Sequence, residues 1–290
     1  MSEVAAASSG KSHRDENFPV ASLLAPRYRA PVLAFYHFVR AGDDVADHAT
    51  LAPDKKLALL DGLARALTGE GPSDPVAEPL RQTLAERNLT PRHALDLIEA
   101  FKLDVTKTRY RDFDDLVDYC RLSAMPVGRY VLDVHGESRD TWAASDKLCA
   151  ALQIINHLQD CGKDFRALDR VYLPADALAA HGARVDMLGA ERAAPELRAT
   201  IVDLARRTEG LLTESAVFPA QVRDLRLAMN VAAIQKLAER LTAGLLVRDP
   251  LSDKVHASKA EFILTALAAV GGVLARRAFS FRSHRQERGA

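Results

Sequence analysis

Two short acidic motifs share one spacing: Asp43-Asp44-Val45-Ala46-Asp47 and Asp160-Cys161-Gly162-Lys163-Asp164. Each places two carboxylates four residues apart, and on a helix that spacing stacks them on one face, about a turn from each other. Like charges stacked this way repel by roughly a few tenths of a kcal/mol, so an ordinary surface helix gains nothing from them. Two such pairs facing each other could hold several hard cations and leave positions open for phosphate oxygens. The chemistry they point to is that of an enzyme acting on a diphosphate.

The second motif is richer than a pair. Gln153, Asn156, Asp160 and Asp164 follow at steps of three, four and four, so all four line one helical face. Two amides and two carboxylates on one stripe are costly to bury without ligands. Magnesium, a hard cation that takes oxygen ligands and bridges to substrate phosphates, would satisfy them. The competing reading is a solvated polar stripe; the flanking Leu152, Ile154, Ile155 and Leu158 leave little of this helix plainly exposed. His157 is read as lying off the stripe, and Cys161 as a packing residue rather than a nucleophile. The first motif follows the bulky run Phe35-Tyr36-His37-Phe38-Val39-Arg40. Arg40, one turn before Asp43, could pair with a diphosphate oxygen or form an i,i+3 surface salt bridge of little worth.

Carboxylate-held magnesium that grips a diphosphate can draw it off as a leaving group and generate a carbocation. A dry apolar cavity must then protect the cation until the intended bond forms. Such a cavity also suits a long hydrocarbon. Phe35, Phe38, Met125, Leu132 and the Leu/Ala-rich later helices are material for its walls, although each also suits plain core.

The elements that must position these groups are helical almost everywhere. Apolar positions recur three and four apart through 31–45, 56–67, 93–105, 116–134, 146–159, 196–212, 222–246 and 261–274. Breaks fall at 69–75, at Thr90-Pro91, around 171–186 and at Arg248-Asp249-Pro250. Asp112, with Asp115 three residues on, reads as an N-cap and acidic first turn. No credible sheet is visible. The expected architecture is one all-α domain over 17–275, its long helices surrounding a central cavity lined by inward carboxylates. Residues 1–16 are expected to be a disordered tail and 276–290 a basic one.

Composition narrows the function classes. The 290 residues are 48% hydrophobic and 27% charged, with 39 basic and 39 acidic side chains. That balance argues against a nucleic-acid partner, which would demand a basic excess. Three unclustered cysteines, Cys120, Cys149 and Cys161, suggest a reduced, cytoplasmic compartment and neither a disulfide framework nor a zinc site. The start lacks the apolar core of a signal peptide. The apolar stretch 262–275 is too short to cross a bilayer. The arginines that follow it, at 276, 277, 282, 285 and 288, could touch an anionic inner-membrane face or simply be solvated. The nine histidines show no metal-ligand pattern. Neither a GxGxxG nor a Walker lysine is present, so a nicotinamide cofactor has no support in the sequence.

Taken together, Asp43–Asp47, Asp160–Asp164 and Asp169-Arg170-Val171-Tyr172-Leu173-Pro174 resemble the squalene/phytoene synthase family. Arg109-Tyr110, Tyr119-Cys120 and Val127-Gly128 match further segments, and the similarity runs from about Asn17 to about Leu267. The resemblance implies an all-α isoprenoid-synthase-type bundle that joins or rearranges isoprenoid diphosphates with several magnesium ions. It implies that Asp43, Asp47, Asp160 and Asp164 hold magnesium with help from Asn156. Arg40, Tyr119 and Gln153 fall in the substrate or diphosphate region, and Arg170 and Tyr172 in the same motif. Lys254 and Lys259 stand where family members carry basic residues that close over the diphosphate.

Three segments, 16–22, 121–128 and 151–160, look like a bacterial subgroup of the family that forms hydroxysqualene on the hopanoid-linked route to squalene. That resemblance implies a substrate, presqualene diphosphate, and a reaction: loss of diphosphate, opening of the cyclopropane and capture of the cation by water, without NADPH. It also implies sister enzymes of the squalene pathway as partners. Departures from the wider family fit this subgroup: Leu122 stands where a second tyrosine is common, Glu16 replaces a basic residue, and Val231 replaces a late tyrosine. Two rivals remain at this level. One is condensation of two farnesyl diphosphates, or complete squalene or phytoene synthesis, on the same fold. The other is a non-catalytic helical protein that binds isoprenoids in the same cavity.

Overall fold

The computed structural model describes residues 2–8, 24–257 and 259–287. Its helices are α1 (Glu3–Ala6), α2 (Pro26–Asp47), α3 (Pro53–Thr68), α4 (Glu78–Arg87), α5 (Arg92–Thr106), α6 (Phe113–Ser123) and α7 (Met125–His135). They continue with α8 (Trp142–Leu168), α9 (Ala175–Ala180), α10 (Pro195–Ser215), α11 (Phe218–Gln221), α12 (Leu225–Val247) and α13 (Lys259–Glu287). Among the described residues no strand forms. A single parallel bridge pairs Arg109 with Val171. The all-α, one-domain architecture expected from periodicity is therefore the one observed.

Local chemistry sets the helix ends. Prolines open α2, α3 and α10, where the missing N–H costs nothing and the fixed φ already suits a helix. Gly136, at φ 66°, ends α7 in the left-handed region, and Asp169 at φ 50° does the same for α8. The stretch 116–134, read as one helix, is two. Ala124 leaves helical geometry at φ −133°, and Pro126 sits in the first turn of α7, because a proline ring cannot follow an unbroken helix. The helix α4 carries only Leu80 and Leu84 as buried apolar residues, which is why its periodicity was too sparse to read. Within the expected tail, residues 3–6 make one helical turn capped by Ser2, with Val4 buried. The helix α13 runs on past residue 275 without a break.

Helices α2 and α12 begin at one end of the core, and α2 and α8 finish together at the other. At one end, Arg27 of α2 lies 3.9 Å from Asp224, the N-cap of α12. Glu137, just past α7, fixes the start of α12 by accepting from the backbone N–H groups of Arg223 and Asp224 at 2.9 and 2.8 Å. At the other end, the acidic ends of α2 and α8 meet the segment after α8. The Val171 N–H bonds the Thr108 carbonyl at 2.9 Å and the Ala175 N–H bonds the Tyr110 carbonyl at 2.9 Å. These bonds seat the Arg170–Tyr172 strip against the end of α5.

Candidate active site

The helices enclose a cavity of about 530 Å³. Its α2 wall runs from Val32 to Asp47, a span of about 22 Å at the helical rise. The distal part is apolar: Phe35, Leu97, Val131, Leu132, Leu148 and Leu152, with Leu227, Val231 and Ile234 from α12. Phe38 and Met125, offered by the sequence as wall residues, are buried in the surrounding core and do not line the cavity. The other end is polar, with Arg40, Asp43, Asp47, Asp104, Asn156, Asp164 and Arg170.

Charge at this end is under strain. Burial first, and the neighbouring Asp47 second, push the Asp43 carboxyl up to about 7. Burial and then Asp160 push Asp164 to about 7, and Asp47 adds to that rise from across the cavity. Carboxylates held this far above their ordinary range are short of positive charge, and a cation would relieve them. The donor set therefore fits a hard, oxygen-preferring ion. Among the described residues, however, no three His, Cys, Asp or Glu side chains are gathered into a ready-made coordination cluster.

With this geometry in place, the comparisons with known proteins decide the family. A family model described as squalene/phytoene synthase matches residues 11–261. The chain belongs to the squalene/phytoene synthase family. It is 54% identical to a hydroxysqualene synthase from Rhodopseudomonas palustris over 93% of both chains. It is 53% identical to one from Sinorhizobium fredii over 92% of both. Among solved structures it is similar to the squalene synthase HpnC from Alicyclobacillus acidocaldarius, with TM-score 0.71 and 31% identity over 83% of this chain and 91% of that one.

In this member of the squalene/phytoene synthase family, the sequence-marked residues divide into two sets. Arg40, Asp43, Asp47, Tyr119, Gln153, Asn156, Asp164, Arg170 and Tyr172 all line the cavity. Asp160 does not: its side chain is 41% exposed and lies 3.5 Å from Lys163. Lys254 is exposed away from the cavity, its carbonyl 3.5 Å from Arg248 Nη1. Lys259 opens α13, and its side chain lies outside the described residues. So do Glu16 and the 16–22 segment, apart from their sequence. Arg40 lines the cavity and pairs with Asp43 at 3.1 Å and Asp44 at 3.0 Å, a half-buried pairing in place of a surface salt bridge. Val231 lines the wall, whereas Leu122 packs against the core and does not.

Arg170 ties the polar end together. Its Nη1 donates to Asp47 at 2.5 Å, its Nε to the Asp104 carbonyl at 3.0 Å and its Nη2 to the Ala46 carbonyl at 3.3 Å. Spacing overlooked Asp104, the centre of a second network. This buried carboxylate accepts from the Tyr119 hydroxyl at 2.9 Å and from the Tyr172 hydroxyl at 3.1 Å. Burial raises it to about 6 despite the nearby Arg170. A signal existed, since Asp104 continues the buried Leu97–Phe101 face of α5, where an acid is out of place. His157 also lines the cavity, stacked on Tyr172 with ring centroids 3.5 Å apart. Burial, then Arg170, lower it to about 3, so it is neutral. Standing four residues after Gln153, it belongs to the same helical face.

Proposed function

We propose that this chain is a magnesium-dependent hydroxysqualene synthase: it ionises presqualene diphosphate, opens the cyclopropane and captures the cation with water, giving hydroxysqualene and diphosphate. The observation that carries the reading is an apolar cavity ended by carboxylates from α2, α5 and α8, in a chain that matches hydroxysqualene synthases along more than nine-tenths of its length. The residues that would hold magnesium are Asp43, Asp47, Asn156 and Asp164, which line the cavity, joined by Asp160 once its exposed side chain turns inward from Lys163. When bound there, the metal supplies positive charge to the departing diphosphate. Arg40 would share that charge with a diphosphate oxygen. Tyr119 and Tyr172, both held on Asp104, keep their hydroxyls fixed beside the reacting end. The apolar wall excludes bulk water from the cation.

No helix among the described residues is long and apolar enough to cross a membrane. A peripheral position on the cytoplasmic face of the inner membrane, near sister enzymes of the squalene pathway, suits the water-insoluble substrate and product. Ile263, Leu264 and Leu267 of α13, 54, 67 and 65% exposed, offer apolar side chains for such contact.

The test is to incubate purified protein and magnesium with presqualene diphosphate and, separately, with farnesyl diphosphate. Hydroxysqualene from the first and no turnover of the second is expected. Turnover of farnesyl diphosphate alone would assign the sister condensation activity. Asp164→Ala, which removes a carboxylate lining the cavity, is expected to lower the rate by a factor on the order of 10² or more; an unchanged rate would favour a non-catalytic role for the acidic motif.

A further inference from the structure

We propose that Gln153 holds the water that captures the carbocation, and that His157 sets the Gln153 amide for this task; the proposal rests on the hydroxysqualene reading above. Gln153 stands about one helical turn before Asn156 on the cavity face of α8, on the apolar side of the acids. The carbon that loses diphosphate must lie beside those acids. Gln153 is the polar side chain on α8 that such a carbon meets next, where the wall turns to Leu152 and Leu148.

Its orientation is fixed by neighbours. Gln153 Nε2 lies 3.1 Å from His157 Nε2. An amide nitrogen only donates, so the ring nitrogen accepts. The ring is held flat on Tyr172, planes 12° apart, and the Tyr172 hydroxyl is held by Asp104 at 3.1 Å. This chain of contacts, Asp104 to Tyr172 to His157 to Gln153, commits the amide nitrogen to the protein. Among the described residues no donor binds the carbonyl oxygen, so it is the end of a half-buried side chain presented to the cavity. A carbonyl there accepts a proton of a water molecule, turns the water's lone pair toward the cation, and sets the negative end of a dipole against the developing charge.

The atoms balance without a redox partner. The C–O bond to diphosphate breaks and its electron pair leaves with the diphosphate. The cyclopropane opens, the water oxygen donates a lone pair to the resulting cation, and the new C–O bond forms. The proton shed by that oxygen goes to the released diphosphate. Where no water is held in place, the same cation loses a proton from a neighbouring carbon and ends as an alkene. The alcohol-to-alkene ratio therefore reports the water's position, independently of the overall rate.

The experiment gives the full chain magnesium and presqualene diphosphate in water enriched in heavy oxygen, and measures that ratio and the label by mass spectrometry. Wild type, Gln153→Leu and His157→Phe are compared; the last keeps the stacked ring and removes the acceptor nitrogen. The expected result is labelled alcohol from wild type, a ratio about ten-fold lower in Gln153→Leu, and a smaller fall in His157→Phe. Unchanged ratios in both variants would overturn the roles of Gln153 and His157 while leaving the hydroxysqualene reading intact. Absence of alcohol from wild type would overturn that reading itself. If Gln153→Leu yields no product, His157→Phe decides, and an unchanged ratio there overturns the proposal.

Discussion

The Arg170 guanidinium donates to the Asp47 carboxylate at 2.5 Å, joining the end of α2 to the segment after α8 across 123 residues of sequence. The same side chain holds the carbonyls of Ala46 and Asp104. One arginine thus fixes where the first aspartate motif stands relative to the second. It also keeps a positive charge at the end of the cavity where diphosphate is expected to leave.

Replacing Arg170 by methionine removes all three bonds and strands the buried Asp104 carbonyl, whereas Asp47 is 42% exposed to solvent and the Ala46 carbonyl keeps the Lys56 ammonium at 2.8 Å. Thermal and urea unfolding are expected to show a loss of about 1–2 kcal/mol, mostly from the stranded carbonyl. Arg170→Lys, which keeps the charge without the planar fork, should recover only part of it. A loss below about 0.5 kcal/mol for methionine would mean that the contacts are replaceable by solvent.

Asp104 invites a sharper comparison. Asp104→Asn retains an acceptor for the two tyrosine hydroxyls, whereas Asp104→Leu strands both of them in the core. Leucine should therefore cost about 2–3 kcal/mol and asparagine clearly less. Equal costs in urea denaturation would show that charge, rather than hydrogen bonding, decides the effect.

Much of this site was legible in advance, for physical reasons. The four-residue aspartate spacing and the polar stripe on α8 are helical-face patterns, and helical faces survive folding unchanged. Asp104 was hidden because its partners, Tyr119, Tyr172 and Arg170, come from two other segments, α6 and the stretch after α8, which only the folded chain brings to α5. Asp160 shows the opposite limit. It shares the stripe with Asp164, yet a few tens of degrees around the helix leave it exposed beside Lys163. Pro126 signals the α6–α7 break, but apolar periodicity continues on both sides of it and masks the signal.

The acids should make stability pH-dependent. Asp43 and Asp164 ionise at about 7 and Asp104 at about 6 in the folded chain, against 3.8 as the ordinary value. Between those limits the folded chain binds more protons than the unfolded one. Their contribution is therefore most favourable below about pH 4 and is lost as pH rises through 6 and 7. In chelator, the melting temperature should fall between pH 5 and pH 8 at constant salt. Magnesium binds the ionised carboxylates, so its stabilising shift should be larger at pH 8 than at pH 5. Equal shifts at both values would argue against these aspartates as its ligands.

Gly128 marks a close approach of α7 to α8. A Cβ there would sit 2.5 Å from Ser145 Oγ and 2.7 Å from Cys149 Sγ, both on cavity-lining residues. Gly128→Ala should destabilise the fold by about 1–3 kcal/mol and weaken substrate binding, measured as a lower melting temperature and a raised KM. A variant as stable as wild type would show that the two helices can part without cost.

The most direct test of the account is product analysis from presqualene diphosphate and magnesium, with and without NADPH. The account predicts hydroxysqualene and diphosphate in equal amounts, and the same product whether or not the reductant is present. Squalene appearing only with NADPH, or no consumption of presqualene diphosphate at all, would contradict it.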